Sequence, residues 1–147
     1  MFTRNALHQL PDFWKALALA RLASMMAPGA ILWLRDLIYA FEPAEVERVM
    51  AGWFGAAVDD PAEGYTAQDL ATHIRTEFST FTWLLEPMLA HAGFRLLDTE
   101  IDRRRTYARC ACVKLGFDLG LVTIWRHRPS TDSVPNIGRG GRRSVAG

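Results

Sequence analysis

Hydrophobic and polar positions follow two different periods in the first third of the chain, where residues 2–7 are predicted to form a short strand. In residues 12–26, apolar side chains recur every three or four positions, which is the period of a helix with one buried face. We expect this face to consist of Trp14, Leu17, Ala18, Leu22 and Met25. Pro28 and Gly29 end the helix, and residues 31–36 are predicted to form a mostly apolar strand. A strand-helix-strand unit of this kind joins two parallel strands by a right-handed crossover.

The middle of the chain is predicted to contain two helices separated by an acidic loop at residues 55–64. The first helix covers residues 42–54, where the apolar positions at helical spacing are Val46, Val49, Met50, Trp53 and Phe54. Thr66 and Asp69 resemble a capping box at the start of the second helix, whose inward face would contain Leu70 and Ile74.

A third helix is predicted from about residue 79 to Gly93, with Pro87 inside it. Its expected core residues are Trp83, Leu84 and Met88. Residues 94–102 and 106–115 are then predicted to form two strands, and the three arginines between them are too few for a parallel crossover. The two strands should therefore be antiparallel.

Composition and charge narrow the class of protein. A chain of 147 residues is the length of one ordinary domain, and its net charge of +1 gives no overall field to attract nucleic acid. No apolar run reaches the roughly 18 residues that cross a membrane, and the amino terminus lacks a secretory pattern, so we expect a cytoplasmic protein. Cys110 and Cys112 are expected to be reduced core thiols, because a metal site needs more ligands.

The carboxyl-terminal part differs from the rest. Residues 1–115 are interpreted as the folded domain, with a possible further short strand at residues 119–125. Residues 116–147 contain five arginines and two aspartates and are rich in glycine and serine. We expect this basic tail to be largely disordered, because it offers little apolar surface to bury.

Three segments, in this order, resemble the carboxyl-terminal half of class I S-adenosylmethionine-dependent methyltransferases. They are residues 4–15 (RNALHQLPDFWK), residues 26–30 (MAPGA) and residues 83–94 (WLLEPMLAHAGF). In that family, a Leu-His-x-Leu-x-Asp loop follows the fourth strand, a Pro-Gly-Gly turn precedes the fifth, and an Ala-Gly-Phe turn precedes the final pair. Ala30 stands here where the second glycine is usual. The resemblance covers about residues 2–115.

The resemblance implies an α/β fold: a partial Rossmann-like sheet with strands 4, 5, 6 and 7 of seven, helices on its faces and the last strand antiparallel. The full family sheet has the order 3-2-1-4-5-7-6. The glycine-rich turn and the acidic ribose-binding residue of the family belong to strands that would precede Met1. The chain is therefore expected to form one wall of the donor cleft, to bind the donor weakly alone, and to leave one strand edge open to a second copy or a complementing chain.

The candidate site residues follow from the same resemblance, which places Asn5 and His8 in the loop beside the methyl donor. Lining the pocket, bonding to backbone and proton transfer all stay open for His8. Arg4 is a candidate substrate contact. Asp36 would either orient a substrate or form a surface ion pair with Arg35, and Tyr39 would cover the substrate or simply pack.

The remaining histidines are not assigned a role. His73 and His91 lie on polar helix faces with no metal-ligand spacing, so both are expected to be exposed and no metal is predicted. The expected function is methyl transfer from S-adenosylmethionine to a small molecule. The alternative is a non-catalytic interaction module, or a remnant, that pairs through the open strand edge.

Overall fold

The computed structural model of the chain describes residues 1–116, so the predicted strand at 119–125 and the tail from residue 117 lie outside the described residues. The strands are β1 (Phe2–Arg4), β2 (Ile31–Asp36), β3 (Ile38–Tyr39), β4 (Thr80–Phe81), β5 (Phe94–Ile101) and β6 (Ala108–Lys114). The α-helices are α1 (Asp12–Ser24), α2 (Val46–Phe54), α3 (Ala67–Thr76) and α4 (Thr82–His91). Single turns of 3-10 helix cover Leu7–Gln9 and Pro43–Glu45. The elements predicted within residues 1–116 are thus present, some with shifted ends.

Four strands form a mixed sheet in the order β1-β2-β6-β5. β1 and β2 are parallel, whereas β6 is antiparallel to both of its neighbours. This is the predicted order of family strands 4, 5, 7 and 6, with the last strand antiparallel. β1 pairs only with β2 among the described strands, which places it at the edge of the sheet.

The buried face of α1 differs from the predicted one by about one residue. Trp14, Leu17 and Met25 are 57%, 46% and 64% exposed, so their assignment to the core is wrong. The buried side chains of the helix are Lys15, Leu19 and Ala23, and Met26 just beyond its end is buried too. The Lys15 ammonium donates to the backbone oxygen of Phe78 at 2.8 Å and pairs with Asp12 at 3.0 Å. Because its charge is satisfied in this way, a lysine occupies a buried position, next to the face that periodicity predicted.

A similar offset occurs in α4, which begins at Thr82 rather than near residue 79. Trp83 and Leu84 are exposed, contrary to the prediction, and the fully buried positions are Leu85 and Leu89. Met88 packs against the core as predicted. Seven of the ten positions of this helix are apolar, its proline included, so the sequence pattern does not select a single face.

The described residues contain two hydrophobic clusters. The larger one lies between the sheet and the helices α1 and α4 and includes both cysteines, which are free thiols as predicted. Burial raises the pKa of Cys112 to about 12, so this thiol is protonated at neutral pH. The smaller cluster consists of Tyr39, Phe41, Val49, Trp53 and Leu70.

The smaller cluster belongs to the segment between β3 and β4, two strands that the sequence patterns did not predict. They pair in parallel with each other as a separate two-stranded sheet, so the chain returns beside β3 after α2 and α3. Thr66 and Asp69 form the predicted capping box of α3. Leu70 is buried as predicted, but Ile74 is 41% exposed. No helix within residues 1–116 combines the length and the hydropathy needed to cross a membrane.

Candidate functional site

An open cleft of about 860 Å³ lies where β1 and β2 end. The end of β1 contributes Asn5 and His8, and the end of β2 contributes Arg35. The opposite wall comes from α3 and the residues after it, with His73 and Glu77. Carboxyl ends of neighbouring parallel strands are the usual place for ligands in sheets of this kind.

Asp36 holds the turn that follows β1. One of its carboxylate oxygens accepts the backbone N–H groups of Ala6 at 3.1 Å and Leu7 at 2.7 Å. The other oxygen accepts the N–H of Leu37 at 2.9 Å and is hydrogen-bonded to Nδ1 of His8. A carboxylate that already accepts three N–H groups acts as an acceptor for the imidazole as well, so Nδ1 of His8 carries the proton. The other ring nitrogen, Nε2, therefore carries a lone pair and no proton.

That Nε2 atom faces polar groups of the cleft. The amide nitrogen of Gln9 lies 2.8 Å from it, and Oε2 of Glu77 lies 3.1 Å from it. The backbone of His8 is bonded separately, because its carbonyl oxygen accepts the N–H of Phe78 at 2.6 Å. The imidazole is consequently held by side chains, and its lone pair can accept a proton or bind a cation.

His73 is the principal correction to the predicted site. Its side chain is only 12% exposed, so the prediction of an exposed histidine is wrong, whereas His91 is exposed as predicted. Its Nδ1 lies 2.5 Å from Oε2 of Glu77, and its Nε2 lies 2.9 Å from the hydroxyl oxygen of Ser79. Burial lowers the pKa of His73, and the charge of Glu77 opposes that shift.

Glu77 lies between the two imidazoles. Its Oε2 atom is buried and receives no aligned hydrogen bond from the described residues, although the two ring nitrogens are within 3.1 Å of it. The ring centres of His8 and His73 are 5.6 Å apart. Two histidines and one carboxylate thus converge on one point at the wall of the cleft.

Asn5 and Tyr107 line the cleft and contact each other. Asn5 has a φ of +51°, a left-handed conformation that asparagine tolerates better than most residues. The Tyr107 hydroxyl donates to the side-chain oxygen of Asn5, and the Arg35 guanidinium lies 5.0 Å from the centre of the Tyr107 ring. These contacts connect the end of β1 to the start of β6.

Three other predicted residues do not line the cleft. Asp36 is 1% exposed and lies beneath His8, so the alternative of a surface ion pair with Arg35 is wrong. Tyr39 is buried in the smaller cluster, where its ring contacts Phe41, Trp53 and Phe81, in agreement with the packing alternative. Arg4 is exposed outside the cleft.

Two residues of the site, His73 and Glu77, were not predicted. Their spacing of four residues could have indicated a paired site, because side chains four positions apart lie on the same face of a helix. Glu77 lies one position beyond α3. The sequence did not show that this helix end packs against the turn after β1.

No protein-family model matches the sequence, and no curated protein matches it either. Solved structures do resemble the fold. TnmH superimposes with a TM-score of 0.51 at 17% identity, over 76% of this chain and 29% of its own. An O-methyltransferase family protein from Burkholderia thailandensis superimposes with a TM-score of 0.50 at 14% identity, over 78% of this chain and 29% of its own.

At these identities the likeness shows the fold alone. The described residues form a partial Rossmann-like sheet with helices on its faces, and they superimpose on part of each of these two structures. This confirms the fold class that the resemblance predicted. The chain spans less than a third of the length of these two solved structures.

Proposed function

We propose that this chain is part of an S-adenosylmethionine-dependent methyltransferase that acts on a small molecule. The observation that carries the proposal is the sheet order β1-β2-β6-β5, with a polar cleft at the carboxyl ends of its two parallel strands. In open α/β sheets this is the edge where nucleoside ligands bind. The donor contacts and the type of acceptor that we propose below rest on this position of the cleft.

The described residues fit one side of a donor site. Asn5 and His8 lie at the end of β1 and are the residues that we propose to contact the donor. No strand within residues 1–116 is followed by a glycine-rich G-x-G-x-G turn. When bound, S-adenosylmethionine supplies an electrophilic methyl group on its sulfonium sulfur. We therefore propose that this chain provides one wall of the cleft and binds the donor weakly by itself.

The acceptor is proposed to be a small molecule with a polar nucleophile. The cleft has room for both polar and apolar parts of a ligand, and the polar groups facing it include Asn5, Arg35 and Tyr107. Such groups can hold a hydroxyl or an amine in line with the methyl group and exclude water from it. Orientation and desolvation of this kind are sufficient to accelerate many methyl transfers.

The test is a titration of the full 147-residue chain with S-adenosylhomocysteine, followed by NMR of the backbone amides. We expect saturable shifts at Asn5, Gln9 and Arg35, with a dissociation constant on the order of 1 mM, equivalent to about 4 kcal/mol. Glu100 and Arg109, which pair at 3.0 Å in the β5-β6 hairpin, serve as internal controls and should not shift.

Matched histidine variants sharpen this measurement. His8→Asn should abolish the shifts at Asn5, whereas the variant of the exposed His91, His91→Asn, should leave them unchanged. Absence of any shift around the cleft at millimolar ligand would overturn the proposed donor site. Tight one-to-one binding by a monomer would overturn the proposal that the cleft has only one wall.

A second candidate function is an interaction module, and the edge strand β1 favours it. Phe2 and Trp33 are opposite each other in the β1-β2 register and are 63% and 47% exposed. An open strand edge beside exposed aromatic side chains is a surface that pairs with another chain. Sedimentation of the wild type against Phe2→Lys tests this function, which predicts a dimer for the wild type and a monomer for the variant.

A further inference from the structure

We propose that His8, His73 and Glu77 form a binding site for one divalent transition-metal ion at the wall of the cleft. The nearest atoms are Nε2 of His8, Nδ1 of His73 and Oε2 of Glu77, and all three lie within 4.8 Å of one another. The site does not depend on the proposed methyl transfer, because the ion can be measured without donor or acceptor.

The distances between these three atoms are close to the distances between ligand atoms that bind the same metal ion. Bonds of about 2.0 to 2.1 Å in a tetrahedral arrangement put neighbouring ligand atoms roughly 3.3 Å apart. His8 Nε2 and Glu77 Oε2 are 3.1 Å apart, which needs almost no adjustment. His73 Nδ1 and Glu77 Oε2 are 2.5 Å apart and would separate by less than about 1 Å to admit an ion.

His8 is already held in the tautomer that a metal requires. Its Nδ1–H is bonded to the buried carboxylate of Asp36, and this leaves a lone pair on the Nε2 atom that faces Glu77. A carboxylate bonded to the far nitrogen is the usual outer partner of a metal-binding histidine. Only the amide of Gln9, at 2.8 Å, competes for Nε2 among the described residues, and its side chain lies at the surface.

His73 has the same kind of arrangement with the roles of its two ring nitrogens exchanged. Its Nε2 lies 2.9 Å from the hydroxyl oxygen of Ser79, which can accept the N–H proton. Nδ1 then presents its lone pair toward the oxygen of Glu77. Two lone-pair atoms this close repel each other unless a proton or a cation lies between them.

The surroundings of Glu77 favour a bound metal ion over a shared proton between these atoms. The short contact with His73 Nδ1 has room for a shared proton, but this buried oxygen has no hydrogen bond of aligned geometry from the described residues. A buried carboxylate oxygen without a hydrogen bond is costly. A cation placed among the three atoms would satisfy the oxygen and both nitrogens at once.

The class of ion follows from the ligands. Two imidazoles and one carboxylate are typical of zinc, and of non-haem iron in its divalent state, whereas magnesium and calcium prefer oxygen ligands. Three protein ligands also leave at least one coordination position free, and here the cleft lies beside them. The site would therefore present a Lewis acid to any hydroxyl or carboxylate that enters the cleft.

The test is titration of the purified, chelator-treated full chain with Zn²⁺ by calorimetry, and with Co²⁺ by visible absorption. We expect one Zn²⁺ per chain, displacement of Zn²⁺ by a strong chelator, and a visible d–d spectrum for Co²⁺ that Zn²⁺ abolishes. Mg²⁺ should neither bind measurably nor compete.

Ligand variants and matched controls assign the site. His73→Gln and Glu77→Gln should each weaken Zn²⁺ binding by more than about 100-fold, because each removes a ligand. His91→Gln, His127→Gln and Cys112→Ser should bind Zn²⁺ as the wild type does. Circular dichroism of every variant in the absence of metal identifies any that fail to fold.

Asp36→Asn examines the positioning role of the outer carboxylate. It should weaken Zn²⁺ binding by about 10- to 100-fold without changing the one-to-one stoichiometry. A purely structural role for Asp36 would lower thermal stability but leave the affinity of the folded variant unchanged. The metal site is overturned if the wild type binds no Zn²⁺, if His73→Gln or Glu77→Gln binds it as tightly as the wild type, or if His91→Gln abolishes binding.

Discussion

The sheet region and the α2-α3 region of this chain are built on different principles. The sheet region buries mostly aliphatic side chains, with Leu32 and Leu34 at 0% exposure, between one sheet and two helices. The α2-α3 region has a smaller, largely aromatic cluster and is flanked by the two-residue strands β3 and β4, which pair with each other. The cleft lies at the boundary between the two regions.

This difference shows which region provides a rigid framework and which region brings ligand-binding side chains to it. The sheet region supplies a rigid pair of strand ends, on which Asp36 fixes the ring of His8. The α2-α3 region brings His73 and Glu77 to the same point from a less extensively packed element. Binding groups are often carried by the less stable parts of a fold, because those parts can adjust to a ligand.

The largest expected effect is on the sheet core. Leu34→Ala should lower the free energy of unfolding by about 4 kcal/mol, because it leaves a cavity beneath a strand that is paired on both sides. Urea denaturation followed by circular dichroism measures the change. Leu97→Ala removes the same atoms from a side chain that is 48% exposed and should change stability by less than about 0.5 kcal/mol. Equal losses in the two variants would contradict the assigned core.

A smaller effect is expected from the same substitution in the α2-α3 region. Leu70→Ala should cost about 2 kcal/mol, at the lower end for a buried leucine, because α3 lies at the surface and can move toward the gap. Hydrogen exchange should accelerate in α3 while the amides of β2 keep their protection. Ile74→Ala, in the exposed part of the same helix, is the matched control. Equal acceleration throughout β2 would show that the two regions unfold together.

The smallest effect concerns the ion pair that connects the regions. Arg105, in the turn before β6, donates to both carboxylate oxygens of Glu45 at 2.9 and 3.2 Å. This contact lowers the pKa of Glu45 from its ordinary 4.5 to about 2. The unfolded chain therefore takes up this proton at a higher pH than the folded chain does. The stabilisation is complete above pH 4.5 and is lost as the pH falls toward 2.

Glu45→Gln tests that linkage. The deficit in stability relative to the wild type should be constant from neutral pH to about pH 5 and should shrink between pH 4.5 and 2. Chemical denaturation at several pH values measures it. Glu47→Gln, an exposed position in the first turn of α2, should show no such pH dependence. A pH-independent deficit for Glu45→Gln would contradict the lowered pKa.

Most of the sheet region could be predicted from the sequence, because local patterns specify it. The apolar run of β2, the turn at Gly29 and the three-arginine link between β5 and β6 each dictate one local geometry. The buried face of α1 could not be predicted in the same way. Trp14 and Leu17 are as apolar as Leu19, and only the buried hydrogen bond of Lys15 to Phe78 shows which side faces inward.

The candidate site was predicted in part. Asn5 and His8 follow β1 directly, so strand position alone brought them to the cleft. Asp36 was expected to face the crevice at the end of its strand, as a substrate contact or in a surface ion pair, yet it is buried under His8 and makes four hydrogen bonds. His73 was predicted to be exposed on a polar helix face. In the structure, that face packs against the loop after β1, which carries His8.

The amino-acid sequence by itself determined the four helices, the strands β1, β2, β5 and β6, the parallel crossover from β1 to β2 and the antiparallel hairpin of β5 and β6. These features depend on side-chain periodicity, turn residues and link lengths, which act over a few neighbouring positions. Only the tertiary structure decided that residues 8, 73 and 77 converge at one wall of the cleft. Their meeting depends on how α3 packs across a gap of more than sixty residues along the chain, and no local pattern encodes the packing of two such distant segments.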